Sequence, residues 1–402
     1  MRRVCLAYLT LATAVYAADP KKTGPTHETT TTIAVKGEKS ALKLQTLCLD
    51  GDDRVIALVA PDRYGAVNGS RPTSCEVHIY TASGEKQRSW DVPFVGQSIN
   101  VGPDGSIYVA GEGRIAKFDK AGKKLANVEL PHVGKSLADK DALLELAKET
   151  IEENVKAYGE NVKQFNEQID ALVKKLDASD LTATEKQQLA QYRATVKAYE
   201  RIVEQEKVRK PEDVVKQVAD RVRVINGVVA TSKDIFVVSG GLKGYGYTVW
   251  RMDHTFANPK AILTDLGGCC GQMDVQASGN ELFVAENTKH RVGHYNRDGK
   301  KLGSFGKSGR DGGDPECFGG CCNPMNVRIG SAGVYTAESE GIIKLFSPSG
   351  EFLGTVGSLK IKEGCKNVAI AVSSDGAKVY FCDVPASKIH VLAKKPANTA
   401  AE

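Results

Sequence analysis

Gly268-Cys269-Cys270-Gly271-Gln272-Met273-Asp274-Val275 and Gly320-Cys321-Cys322-Asn323-Pro324-Met325-Asn326-Val327 are near copies of one another, and Gly364-Cys365-Lys366-Asn367-Val368 is a shorter third. Each copy leads into a short apolar strand, a turn and a second strand. Behind the second copy, Asn326-Val327-Arg328-Ile329 passes through Gly330 and Gly333 into Val334-Tyr335-Thr336-Ala337. Behind the third, Ile370-Ala371-Val372 passes through Ser373-Ser374-Asp375-Gly376 into Val379-Tyr380-Phe381-Cys382. Gly and Asp at such turns supply positive φ and side-chain hydrogen bonds to the backbone.

Farther out the plan recurs. Ser98-Ile99-Asn100-Val101 reaches Ile107-Tyr108-Val109-Ala110 through a Gly102-Pro103-Asp104-Gly105 turn. An aromatic residue stands four before a glycine at Tyr80 and Gly84, Phe118 and Gly122, Tyr295 and Gly299, and Phe346 and Gly350. Units starting near Leu42, Gln97, Asn226, Gly271, Asn323 and Asn367 recur every roughly 40–55 residues outside one insertion, the period of propeller blades. A small twisted sheet cannot bury both faces alone, so such units stack around an axis. The last unit shows three strands, and residues 30–35 are expected to supply the fourth and close the ring, since this threonine-rich stretch has strand propensity.

These units resemble NHL repeats, best in 271–299, where Val284-Ala285-Glu286-Asn287 and Arg291-Val292 carry the pattern, and in 323–350. The resemblance implies an all-β fold, a six-bladed NHL-like β-propeller, of a family in which many members are partner-binding modules and a minority are enzymes. Units one and three depart from the pattern with looser turns.

The insertion, 136–222, is rich in Glu, Lys, Gln and Ala. Ile151, Val155, Tyr158, Val162, Phe165, Ile169, Leu172 and Leu176 alternate at spacings of four and three, a heptad seam. Asp177 and Asp180 bracket its break, Thr182 and Glu185 offer a capping box, and Leu189, Tyr192, Val196, Tyr199 and Val203 continue the seam. An antiparallel α-helical coiled-coil hairpin is expected, its first helix roughly 40–60 Å long at 1.5 Å per residue. Pro211 ends the second helix or starts a short third one. The hairpin either satisfies its own seam or serves as a docking or self-association arm.

Residues 1–17 read as a signal peptide: Arg2 and Arg3, an apolar run over 4–15, and a Val15-Tyr16-Ala17 cleavage site. Residues 18–40 form a linker with the ring-closing strand, 41–135 the first two blades, 223–394 the other four and 395–402 a tail. The expectation is an exported protein, periplasmic or secreted. The formal net charge is +5 and no basic stripe stands out, which argues against nucleic acid as a partner. No stretch is long enough for a membrane span.

Removing Cys5 with the leader leaves nine of ten cysteines, an odd number, in an oxidising compartment. Cys270, Cys322 and Cys365 sit at one offset from the end of the strand that follows, and Met273 and Met325 share another. In a propeller those positions gather at one mouth of the central channel, with Cys269, Cys317 and Cys321 beside them. Three chemistries are open. Disulfides, including a bridge within each Cys-Cys pair, fit export best. A soft metal site from these six cysteines, Met273 and Met325 would take copper as Cu(I), or zinc on the thiolates, with His290 and His294 nearby; no cofactor is otherwise implied. A redox dithiol is the third, although the Cys-x-x-Cys spacing is absent. Cys48 and Cys75 read as small buried residues, and Cys48 is a candidate to pair with Cys382 across the ring closure.

Asp311, Asp314 and Glu316 lie in a glycine-rich loop without calcium-loop spacing. No Gly-x-Ser-x-Gly elbow appears, and no catalytic residue can be named. The sequence thus points to a binding or scaffold protein with a protein or small-molecule ligand at the channel mouth. A metal or thiol-redox protein is the alternative, and a propeller hydrolase or lyase the third.

Overall fold

A computed structural model of the chain describes residues 24–39, 41–62, 72–174, 182–241, 246–269, 271–309, 314–362, 364 and 366–396. The leader, Cys270, Cys365, Asp311, Leu176 and the break between the two helical seams lie outside these.

The described strands form six four-stranded antiparallel sheets. Their first strands are Leu42–Leu49, Ser98–Val101, Ile225–Ala230, Val275–Ser278, Asn326–Gly330 and Val368–Val372. Each first strand lies against the next, and the sixth lies against the first, so the sheets close a ring: a β-propeller. Five sheets take their strands in chain order. The sixth takes its outer strand, His27–Ala34, from the N-terminal side, paired antiparallel with Lys388–Lys394.

The hydrophobic core is divided among the junctions. One buried cluster fills each junction, from Ile99 and Val109 between sheets one and two to Leu44, Ala371 and Tyr380 between six and one. The third-strand turns fit this stacking. Gly84, Gly122, Gly299 and Gly350 have φ of 93°, 87°, 86° and 96°. A Cβ on each would strike the outer strand of the preceding sheet: Ile33, Trp90, Ile262 and Phe305 in turn. Glycine is required there both for its φ and for close approach. The chain from the ring-closing strand to sheet one is held by buried Glu76, whose carboxylate accepts the Glu38 N–H (2.9 Å) and Lys39 N–H (3.2 Å) and pairs with His78 (2.7 Å).

Between sheets two and three the described residues form four helices: α1 (Pro131–Ala138), α2 (Lys140–Lys174), α3 (Ala183–Lys207) and α4 (Pro211–Val222). The helical segment thus begins five residues before position 136, because Pro131 supplies a preset φ at the first position of α1. Pro211 likewise starts α4. Thr182 and Glu185 form the reciprocal cap of α3. Ring contacts of Tyr158 with Tyr199 and Phe165 with Tyr192 make α2 and α3 antiparallel. Their seam is only half-buried along most of its length. The dry part is the base, where Leu143, Leu146 and Ala147 of α2 meet Val214 and Val218 of α4. Among the described residues no helix is long and apolar enough to cross a membrane.

Ile33 is 5% exposed and covers the Gly84 turn of sheet one. Ile33→Ala should therefore lower the unfolding free energy by about 2–5 kcal/mol in a denaturant titration. A loss below 1 kcal/mol would mean that the N-terminal strand does not close the ring.

Candidate functional site

The segments leading into sheets four, five and six meet at one mouth of the ring. Gln272, ahead of sheet four, reaches past sheet five to Val368 of sheet six. Its Nε2 donates to the Val368 carbonyl (2.8 Å) and its Oε1 accepts the Val368 N–H (3.3 Å). Buried Asn287 holds the cysteine segment itself. Its Oδ1 accepts the Cys269 N–H (2.9 Å), and its Nδ2 lies within reach of the Cys269 and Gln272 carbonyls (3.3 and 3.1 Å) and of Met325 Sδ (3.7 Å). Asn323, 0% exposed, holds the second segment: Nδ2 donates to the Gly319 carbonyl (2.8 Å) and Glu340 Oε2 (2.7 Å), and Oδ1 accepts the Ser339 N–H (2.9 Å).

A second device ties adjacent sheets. Ser98, Asp274 and Asn326 each stand opposite an alanine, namely Ala110, Ala285 and Ala337. Each accepts a backbone N–H from the first strand of the following sheet: Val228 (3.0 Å), Val327 (2.9 Å) and Ile370 (2.9 Å). Asp274 Oδ2 also accepts Asn326 Nδ2 and Arg328, both at 2.7 Å. Burial still leaves the Asp274 carboxyl above its ordinary value, against the pull of Arg328.

In sheets four, five and six, a carboxylate stands at one shared position at the end of the second strand: Glu286, Glu338 and Asp383. Burial works against ionisation of Glu286, but Tyr295 (2.6 Å), Arg291 (2.8 Å) and Lys289 (3.1 Å) outweigh it and hold the group below the usual range. Asp383 is lowered first by His390, 3.6 Å away. Glu338 goes the other way: burial raises it, although Lys344 Nζ lies at 2.5 Å and the Gly319 N–H at 2.8 Å. Lys344, also buried, donates to the Cys317 carbonyl.

The structure brings together some of the expected sulfur ligands and separates others. Cys269 packs on the cluster that holds Cys322, Met325 and Val368. Cys321 is exposed, with its Sγ 3.3 Å from Cys322 Sγ. That separation is longer than the ~2.05 Å of a disulfide, so the expected bridge within this pair is not formed. Met273 packs between sheets three and four, away from Met325, because burial in an apolar junction suits a thioether. Cys317 is buried behind Lys344, its thiol raised by burial and then by Asp314. Cys270 and Cys365 lie outside the described residues. His294 is turned to Glu281 (3.0 Å) and stacks on Phe283; His290 is buried with a left-handed φ of 50°. Asp314 and Glu316 both pair with Lys307, at 3.5 and 2.7 Å. Among the described residues no three His, Cys, Asp or Glu side chains form a metal-sized group.

Cys48 and Cys382 are both free thiols, and the suggested pairing across the ring closure is not made. Cys48 faces the junction of sheets one and two, and Cys382 that of six and one. Burial pushes the Cys48 and Cys75 thiols up to about 12 and raises Cys382 as well.

Asn287, Asn323, Gln272, Glu338 and Lys344 are the site residues that sequence reasoning did not assign. The signal for four of them was present. Asn287 and Glu338 sit two places and one place beyond the repeated alanine, and Gln272 and Asn323 lie inside the two copies of the repeated segment.

The Glu338–Lys344 pair gives a signed pH dependence. A raised folded-state carboxyl contributes stability that is complete below its unfolded pKa and is lost as pH rises through the folded value. Lys344→Met removes the opposing charge and leaves Glu338 buried alone. The expected loss is about 3–5 kcal/mol at pH 7, partly recovered at pH 5. Denaturant titrations at the two pH values check this; an equal loss at both would contradict it.

No protein-family model matches the sequence, and no curated protein matches it. Solved structures similar to it include the Cps50 (Swd1) β-propeller domain of Myceliophteria thermophila, 10% identical with a TM-score of 0.45 over 92% of this chain and 100% of that one. The Pan2 WD40 domain of Neurospora crassa is 8% identical with a TM-score of 0.45 over 95% of this chain and 100% of that one. A protein of unknown function from Bacteroides thetaiotaomicron is 10% identical with a TM-score of 0.51 over 92% of this chain and 72% of that one. Identities this low concern the fold alone.

Proposed function

We propose that the chain is an exported, six-bladed, NHL-like β-propeller that binds a protein or small-molecule ligand at its cysteine-bearing mouth, with a helical hairpin beside the ring. The observation that carries this reading is the tie between three consecutive leading segments. Gln272 clamps Val368 across the mouth, while Asn287 and Asn323 fix the backbone on either side. A ligand meeting this surface meets rigid backbone, with Cys321 and Glu340 exposed on it. Pre-organisation of this kind lowers the ordering cost of binding.

A photo-crosslinking residue at position 321 should capture a partner from the exported fraction, and the same residue at exposed Glu200 of α3 should not. Capture at 200 alone would replace the mouth by the helical arm.

A second reading is a soft-metal or thiol-redox centre, favoured by the 3.3 Å approach of Cys321 and Cys322 and the packing of Cys269 beside Cys322 and Met325. Thiolate and thioether donors suit Cu(I), and thiolates alone suit zinc. Cys48, Cys75, Cys317 and Cys382 should alkylate once the protein is denatured, with or without chelator. The metal reading requires further cysteines to alkylate only after chelation. A count that chelator does not change contradicts it.

A further inference from the structure

A cleft of about 380 Å³ lies where the helical segment meets the outer strands of sheet three. Ligand sites commonly run from about 300 to 1,000 Å³. One wall is α1 and the end of α4. The other is formed by the strands Gly246–Met252 and Lys260–Gly267.

His132 of α1 faces this cleft. The residue is 6% exposed, and neither ring nitrogen has a hydrogen-bond partner. Its ring stacks on Trp250 at 4.3 Å and 15° between planes. The indole is itself fixed, since Trp250 Nε1 donates to Ser239 Oγ at 3.0 Å. Burial lowers His132 to about 4, so the imidazole is neutral at pH 7, with one donor and one acceptor to satisfy. Nearly all buried polar side chains find partners, so an orphaned imidazole in a cleft calls for one from outside.

The opposite wall is also shaped. Tyr247 pairs with Leu266 and Val249 with Leu263, which sets Thr248 against both Thr264 and Asp265. Asp265 takes up the extra residue at a φ of 56°. Bulges of this kind re-aim side chains and are frequent beside binding sites. Thr264 and Asp265 are both exposed along the cleft.

We infer that this cleft binds a small neutral polyhydroxylated molecule, a sugar of hexose size. Hydroxyl groups both donate and accept, which matches the two vacant positions of the imidazole. Ser136, Thr264 and Asp265 supply further hydrogen-bonding groups. Trp250 and Tyr247 supply aromatic surface for the C–H faces of the ring. Asp265 is acidic, which disfavours an anion. The site does not rest on the function proposed for the mouth.

Trp90→Phe leaves Trp250 as the sole tryptophan of the two in the chain and makes its emission a direct reporter. In that background, titration with D-glucose, D-galactose and N-acetyl-D-glucosamine to tens of millimolar should give a saturable change for at least one sugar. His132→Phe keeps a ring on Trp250 and removes both nitrogens; it should weaken that sugar by roughly tenfold or more. Thr264→Val, on the exposed wall, should weaken it as well and provides the test if His132→Phe does not fold. Inert sugars, binding unchanged in the variant that folds, or saturation only by the planar probe benzimidazole would each overturn the assignment.

Discussion

The first strand of each sheet has one edge that no strand of its own sheet covers. In a closed ring those edges point inward and turn their N–H groups toward the axis, where unpaired groups are costly. The chain answers with side chains from the preceding sheet. Ser98, Asp274 and Asn326 each accept one such N–H, from Val228, Val327 and Ile370. The position opposite each acceptor is alanine, Ala110, Ala285 or Ala337. Geometry at the mouth depends on these ties, because the Cys-Cys segments are the stretches that deliver Asp274 and Asn326 to their positions.

Much of the architecture was legible in the sequence because its cause is local. Turn glycines such as Gly299 and Gly350 need a positive φ and a clear space for the neighbouring sheet, and both demands leave a glycine at a fixed distance from an aromatic. The Thr182–Glu185 cap is legible for the same reason. The threonine-rich stretch before residue 35 carried strand propensity, and His27–Ala34 is a strand. The candidate site was less legible because its ties are long-range. Gln272 and Val368 are 96 positions apart, and nothing local to either announces the pair. Shared offset also misled for Met273 and Met325, which fill different junctions. Equal spacing sets the position along a strand but not the neighbour that a side chain meets.

The helical segment packs on the ring at its base, where Val133 of α1 and Val222 of α4 join the cluster between sheets two and three. Its base is dry and is pinned to sheet two through hydrogen bonds between Gly113 and both Leu130 and Arg223. Beyond the base, α2 and α3 cover one another with a half-buried seam of tyrosine and phenylalanine rings. The base is also where α1 presents His132 to sheet three. A ligand in that cleft would touch both the ring and the root of the helices.

The ties between first strands are tested most directly by hydrogen exchange at single amides. In the unaltered chain, the Val327 and Ile370 N–H groups should exchange as slowly as the interior of their sheets, despite lying on an uncovered strand edge. Asp274→Ala should speed exchange at Val327 while leaving Ile370, which is held by Asn326, protected. Rapid exchange at Val327 in the unaltered chain, or protection there that survives Asp274→Ala, would contradict the account.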